Sequence, residues 1–463
     1  MARATQGIYV FLHGEQVGVA ARSRRGAVHF SYSADRRASA AALSLSVPVG
    51  QRDSFEISSW IDGLLPDSQR TRSRWARELG AASTDPFDLL CARAGLECAG
   101  AVQFYREPVL PDSHLASLVP FTDSEVAEIL RLIAQDAEDA PSQGLGELRL
   151  SLPGAQPKMA LRLTGDGWCL PTGSLATTHI LKPQRGHLNA ALRGSIAVNE
   201  HLCQTAAATL GLDAAPTKLE AFEDETCLVV ERFDRHEGKD EVRRLHFEDM
   251  CQALGLAPDR KYQSDGGPTP EDIIELLRHE TGHADRSKFF LSVFYNWLIG
   301  NTDGHSKNYG VLLDGPRPRL APLYDLSSSA PYVDPEDEPR PAAMRFAEPG
   351  PATLQDWSRT AARLGIDVTT DALVDMAQAL PEAFETAEAQ CPRWASATAC
   401  MVRERVVAHA DRVARGADGS RTGPSRSVAA EPVDVETCGE TVKRTGKPCL
   451  LRPDHNGRHR SVP

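Results

Sequence analysis

No apolar run in this 463-residue sequence approaches the ~20 residues needed to cross a bilayer, so no membrane-spanning helix is expected. The first residues, MARATQGIYVFLHGEQVG, contain no apolar stretch ending in a small-residue cleavage site. They read as a strand and a turn, and a cytoplasmic protein without a membrane partner is expected. Positive charge is in short supply: 51 Lys and Arg against 63 Asp and Glu leave a net charge of -12. That argues against sequence-independent DNA binding by the whole surface, while leaving room for a local basic patch or a basic partner. The 10 Cys stand singly, and without a leader they are expected to be buried thiols rather than disulfides. No internal repeat is visible.

What is present centres on GNTDGHSKN, Gly300 to Asn308. Asp303 and Asn308 have the D-x-x-x-x-N spacing of a protein-kinase catalytic loop. A carboxylate at that position orients and deprotonates a substrate hydroxyl, and an amide oxygen five residues on can hold a metal ion. A second acid, Asp325, follows in Leu323-Tyr324-Asp325-Leu326, where kinases place a metal-binding Asp. A run such as NTDG also serves as a plain turn, because Asn, Asp and Gly tolerate left-handed backbone. Metal phosphohydrolases share a GN-x-D run near a His, but they need several His and Asp ligands, and no second clustered His/Asp run lies near this motif.

The pattern along the chain is mixed. Residues 7 to about 107 read as a small β-rich unit: a hairpin around His13-Gly14, strands at VHFSYS and LSLSVPV, a helical region broken at Pro66, a helix at PFDLLCARAG and a strand at GAVQFY. REPVLPDS then links to a segment of α/β character. SEVAEILRLIAQD has helical periodicity, LRLSLPGAQPKMALRL reads as strand, loop and strand, and THILKP as a strand. A helix is expected over 196–211, a buried strand at TCLVVERFDR, and an apolar helix at SKFFLSVFYNWLIG that leads into the catalytic loop. Residues 370–415 read as helical and 416–463 as a linker and tail rich in Gly, Ser, Pro and Ala. The expected fold is α+β: a two-lobed, protein-kinase-like fold with a small N-terminal β-rich domain (1–107), a core (108–415) whose second lobe is mainly helical, and the tail.

Three more elements fit phosphoryl transfer. The small-residue loop Ser151 to Lys158 can present backbone N–H groups to phosphates, although it is neither G-x-x-x-x-G-K-[ST] nor G-x-G-x-x-G. Lys182 ends an apolar strand, with Glu200 on the next helix, the order in which kinases pair a phosphate-binding Lys with a Glu. An edge-strand Lys and a solvated helix Glu are the plainer readings. Val229 to Phe233 leaves a buried strand where a hinge would offer backbone amides to adenine.

Taken together, LSLSVP, GLLPDS, PFDLL, GAQPK, HILKP, NEHLC, VERFDR, HFEDMCQALG, KYQSDGGP, WLIGNTDGHSKN and LYDLSS resemble, in order, the HipA family of bacterial serine/threonine kinases, the toxins of toxin–antitoxin pairs. The resemblance implies an ATP- and Mg2+-dependent kinase with Asp303 as catalytic base and Asn308 and Asp325 as magnesium ligands. Lys182 would hold nucleotide phosphates, and Pro153, Gly154, Ala155, Gln156, Pro157 and Lys158 would form the phosphate loop. Glu231, Arg232 and Phe233 would supply the hinge, with His305, Ser306, Lys307 and Tyr324 completing the nucleotide site. Ser151 matches a serine that the family autophosphorylates. The implied partners are a protein substrate, an aminoacyl-tRNA synthetase where known, and a helix-turn-helix antitoxin with its operator DNA. His305 stands where eukaryotic kinases have a Lys, a difference that the family shares. The acidic, Pro-rich segment 331–350 matches the family poorly. A pseudokinase-like corepressor, or a small-molecule kinase on the same scaffold, are the competing functions.

The tail lies outside this resemblance. Cys438, Cys449, His455 and His459 are a donor set suited to tetrahedral zinc, though their spacing matches no common finger. Six Lys/Arg against two acids from Glu440 onward make the tail locally basic, and a disordered basic extension is the competing reading.

Overall fold

The N-terminal alternation closes as a hairpin. Gly7–Leu12 pairs antiparallel with Glu15–Arg22. The turn residues His13 and Gly14 have φ of 51° and 82°, the doubly left-handed geometry whose twist matches paired strands. Val28–Tyr32, Phe55–Glu56 and Val102–Tyr105 complete a five-stranded antiparallel sheet. Its inner face buries Val10, Leu12, Phe30 and Phe104 with Trp60, Ile61 and Trp75. Those last three come from helices Ser58–Asp62 and Gln69–Leu79, which flank the break expected at Pro66. The second helix begins where the Ser68 side chain accepts from the Thr71 amide and ends at left-handed Gly80, a start and a stop that both follow from residue type. The computed structural model describes residues 7–34, 36, 41–50, 54–92, 97–110, 116–134, 154, 156–184, 195–238, 241–333, 341–347 and 350–415.

One expected strand is absent. LSLSVPV forms only a bridge between Ser44 and Val47. Leu43 and Val47 are buried in the core of the N-terminal unit, while Ser46 Oγ donates to the Gln252 carbonyl at 2.9 Å and the Leu45 amide donates to Glu248 Oε1 at 2.8 Å. Burial pushes the Glu248 carboxyl up to about 7, against the hydrogen bonds it accepts.

A second, six-stranded antiparallel sheet runs Thr217–Phe222, Glu225–Glu231, His179–Pro183, Met159–Thr164, Gly167–Pro171, Leu118–Pro120. Helix Asp123–Ala134 packs on this sheet, and Val126, Leu130, Leu161 and Val229 share its core. Helix Ser195–Thr209 joins the sheet to a helical lobe built from Pro270–Glu280, His283–Leu298, Leu354–Leu364, Thr370–Ala389 and Ser396–Arg415. That lobe has a large core in which Phe289, Phe290, Phe294, Tyr295, Trp357 and Phe384 are buried. A small sheet of Phe247–Asp249, Gly310–Leu312 and Arg319–Leu320 carries the end of the catalytic loop. Gly310 is required there, because a Cβ would lie 2.4 Å from the Phe247 ring.

Buried charges tie the N-terminal unit to the hinge. Asp234 accepts from the Gly100 amide at 2.7 Å and pairs with Arg232 at 2.8 Å, while Arg235 pairs with Glu97 at 2.7 Å. Burial opposes both carboxylates, but the arginines outweigh it and hold Glu97 and Asp234 below the usual carboxylate range. Desolvation cancels much of the Coulomb gain in such a cluster. The eight described cysteines are free thiols, as expected. Among the described residues no helix is long and apolar enough to cross a membrane. Residues 416–463 lie outside the described residues.

Candidate active site

Lys182 lies on a central strand, paired with Glu225–Glu231 on one side and Met159–Thr164 on the other. Its Nζ donates to Glu200 Oε1 at 2.6 Å and to an Asp325 carboxylate oxygen. Sheet, helix and the segment after the catalytic loop therefore meet at one ammonium. Burial opposes that charge, but Asp325 and Glu200 outweigh it and raise Lys182. Lys182 in turn holds Asp325 far below the usual carboxylate range despite burial, whereas burial raises Glu200. Asp325 has φ of 54°, a left-handed conformation that most side chains avoid and that recurs at functional sites.

The phosphate-loop candidates stand close by. Gly154 has φ of 108°, and a Cβ on it would sit 2.7 Å from Lys158 Nζ. Burial pushes Lys158 down to about 8, with Lys182 acting in the same direction and Asp325 against it. Gln156 and Pro157 complete the described part of this loop; Ser151, Pro153 and Ala155 lie outside the described residues.

The catalytic loop leaves helix His283–Leu298 through Gly300, whose φ is 67° and where a Cβ would meet the His409 ring at 2.8 Å. Asn301 Oδ1 accepts from the Asp303 amide at 3.0 Å, and Asn301 Nδ2 donates to Asn296 Oδ1 at 3.0 Å. Asn308 Nδ2 donates to the Asp303 carbonyl at 3.2 Å, which leaves its side-chain oxygen as the acceptor. Tyr324 Oη donates to the Lys307 carbonyl at 2.7 Å and so ties the segment bearing Asp325 to the loop. Asp303 is exposed, and its Oδ1 accepts from Tyr262 Oη at 2.8 Å. Burial lowers the His305 imidazole, against the pull of Asp303. Its Nδ1 is buried without a hydrogen-bond partner among the described residues.

Phe233, Phe247 and Tyr324 form an aromatic cluster, with ring centres 5.2 and 5.5 Å from Phe233. Ala160, Leu312 and Ile180 share it. A flat apolar base suits such walls.

Other expected contacts are engaged elsewhere. The Arg232 guanidinium is buried against Asp234, Thr177 and the Cys98 carbonyl. The amides of Glu231 and Arg232 already donate to the carbonyls of Pro216 and Thr178, so neither is available to adenine. Ser306 Oγ donates to the Lys261 carbonyl at 2.9 Å. Lys307 Nζ is buried at 2.7 Å from Asp249 and 3.3 Å from the Gly63 carbonyl; its side chain braces the N-terminal unit and is not directed to phosphates. Among the described residues no three His, Cys, Asp or Glu side chains cluster as a metal site of their own. The tail donors Cys438, Cys449, His455 and His459 lie outside the described residues.

An antiparallel sheet whose Lys182 pairs with a helix Glu, set on a helical lobe that carries the Asp303–Asn308 loop, is the architecture of a protein kinase. Family models agree: one described as HipA N-terminal domain matches residues 8–105, and one described as HipA-like C-terminal domain matches residues 150–389. The chain belongs to the HipA family, and it is a serine/threonine protein kinase of that family. It is 37% identical to a putative kinase, Y4mE, of Sinorhizobium fredii, over 70% of this chain and 78% of that protein. It is 29% identical to the serine/threonine-protein kinase toxin HipA of Shewanella oneidensis, over 67% of this chain and 72% of the relative. A solved Shewanella oneidensis complex of HipA, HipB and operator DNA superposes with a TM-score of 0.72 at 25% identity, covering 88% of this chain and 97% of that one.

Proposed function

We propose that this kinase moves the terminal phosphoryl group of Mg·ATP to a serine or threonine hydroxyl of a cytoplasmic protein, and that it restrains growth by doing so. The observation that carries this reading is the meeting of Lys182, Glu200 and Asp325 beside the Asp303–Asn308 loop. Adenine would lie against Phe233 and Tyr324. Lys182 and Lys158 would neutralise phosphate oxygens. Asn308 and Asp325 offer hard oxygens that would hold Mg2+, whose positive charge would offset the negative charge developing on the phosphates. Asp303, exposed at the loop, would take the acceptor's proton.

A solved complex of a relative with HipB and operator DNA supports partners of the same kind, and a helix-turn-helix antitoxin is what the family resemblance suggests. A translation protein such as an aminoacyl-tRNA synthetase is the substrate class that the family resemblance suggests. Incubating a bacterial lysate with the enzyme and labelled ATP tests the activity. A labelled protein supports it, a labelled metabolite would indicate a small-molecule kinase, and no label would indicate a corepressor. Intact-mass spectra of the same enzyme should show phosphate on Ser151, absent from an Asp303→Asn variant; no phosphate, or phosphate elsewhere, sinks that control. Zinc content of the full chain against a 1–415 truncation decides whether the tail holds metal; equal content excludes it.

A pH dependence follows from Lys158. Near neutrality it is largely protonated; as pH rises through about 8 its positive charge is lost. Lys182 is raised and Asp325 lowered, so neither titrates in that window. Nucleotide affinity should therefore fall above pH 8 in the parent and stay flat in Lys158→Met, read by calorimetric titration. A parent that is flat across pH 8 would remove Lys158 from the phosphate site.

A further inference from the structure

The loop between the strand–turn carrying Asp249 and helix Pro270–Glu280 reaches the catalytic carboxylate without a role so far assigned. It is tightly built. The Tyr262 carbonyl accepts from the amides of Asp265 and Gly267 at 3.0 and 2.9 Å. A Cβ at Gly267 would lie 2.2 Å from the Arg260 carbonyl, so only glycine fits that crossing. The preceding carbonyl, of Lys261, accepts from both the amide and the hydroxyl of Ser306 in the catalytic loop, at 3.2 and 2.9 Å. The Gln263 amide donates to the Ala343 carbonyl at 3.1 Å. A loop held from these several sides places its side chains with little freedom.

One of those side chains, Tyr262, faces the catalytic carboxylate, and Lys261 lies beside it. Tyr262 Oη donates to Asp303 Oδ1 at 2.8 Å, and its ring meets His305 edge-on at 5.1 Å. Burial and the neighbouring carboxylate hold the phenol well above its ordinary value, so it stays a donor. The Lys261 ammonium lies 5.5 Å from the Tyr262 ring centre and pairs at 2.7 Å with Asp67 Oδ2. Asp67 belongs to the N-terminal unit, in the break between helices Ser58–Asp62 and Gln69–Leu79. Its other oxygen is buried without a hydrogen-bond partner among the described residues.

We infer that Tyr262 is a positioning residue of the phosphoryl-transfer site, fixing one oxygen of Asp303 so that the other meets the acceptor hydroxyl, and that Asp67 and Lys261 hold Tyr262 from the N-terminal unit. This rests on the assignment of Asp303 as base. A carboxylate on an exposed loop otherwise rotates among orientations, of which only some face the acceptor. One fixed hydrogen bond removes that freedom, the kind of preorganisation on which catalytic geometry depends. The N-terminal unit thereby becomes part of the catalytic apparatus.

The test uses the full chain with lysate protein as acceptor and labelled ATP. Tyr262→Phe should lower the apparent kcat by about 10- to 100-fold, the scale on which small misplacements of catalytic groups count. ATP affinity and melting temperature should not change, which separates positioning from folding. Asp67→Asn should shift kcat in the same direction by less. In an Asp303→Asn background, Tyr262→Phe should produce no further loss, because both act through one carboxylate. A parent-like kcat for Tyr262→Phe overturns the inference. So does an unchanged kcat with a lower half-saturating lysate concentration, which would make the phenol a mere competitor of the acceptor. If Asp303→Asn itself is fully active, or no lysate protein is labelled, the reading of the site falls and the inference with it. An inactive Asp303→Asn beside a normal Tyr262→Phe defeats the inference alone.

Discussion

Replacing Asp303 by Asn is expected to reduce phosphoryl transfer by at least ~10²-fold, the usual scale for loss of a general base. The fold should be unaffected. Asp303 is exposed, its amide bond to Asn301 Oδ1 is made by the backbone, and its carbonyl still accepts from Asn308. The Asn side-chain oxygen can also still accept from Tyr262, so the shape of the loop is retained while the proton acceptor is lost. Nucleotide binding should persist too, because Lys182, Lys158 and Asp325 are untouched. The measurement is a single-turnover transfer rate beside a calorimetric titration with Mg·ATP and a circular-dichroism melt. Near-parental transfer by a folded variant that binds nucleotide would falsify the assignment of Asp303 as base.

Local motifs made much of this site legible. The spacing of Asp303 and Asn308 is readable because both lie on one loop, and Lys182 with Glu200 because a strand leads directly into a helix. What spacing cannot supply is direction. Ser306 and Lys307 lie in the short 3-10 turn Ser306–Asn308, and their side chains are directed to the Lys261 carbonyl and to Asp249. The same reasoning explains Arg232. At the end of an extended strand neighbouring side chains alternate faces, so an exposed Glu231 and the Phe233 ring leave Arg232 to the buried cluster with Asp234 and Glu97.

The fold followed a similar rule. Helices with a capping residue and strands that close a hairpin were readable, because both depend on near neighbours. Alternation marks any segment with one buried face, so LSLSVPV reads as a strand, although here Leu43 and Val47 are buried in the N-terminal core with only a single bridge. Tyr262 carries no such local signal: its partner is 41 residues away, and nothing in KYQSDGGP marks it as facing a carboxylate. Asp67, 194 residues from Lys261, is more distant still. Contacts between residues so far apart in the chain arise from packing, and no sequence window contains them.

Asp325→Asn should weaken Mg·ATP binding by about 10- to 100-fold, the range over which partners at a metal site matter, and should reduce transfer further. Asparagine is chosen because it tolerates the left-handed backbone at φ of 54° that this position requires; alanine would add strain to the loss of charge. The substitution has two consequences. It replaces a charged oxygen ligand with a neutral one, and it removes one of the two carboxylates that neutralise Lys182, leaving Glu200 at 2.6 Å. These are separable. Glu200→Gln also deprives Lys182 of a partner but takes no oxygen from the metal. Titrations with ATP in excess Mg2+ and in excess chelator distinguish them. The parent and Glu200→Gln should prefer Mg·ATP to free ATP, whereas Asp325→Asn should lose most of that preference. If Asp325→Asn keeps the full preference, Asp325 serves only as the counter-ion of Lys182, and Asn308 with the phosphates must hold the metal without it.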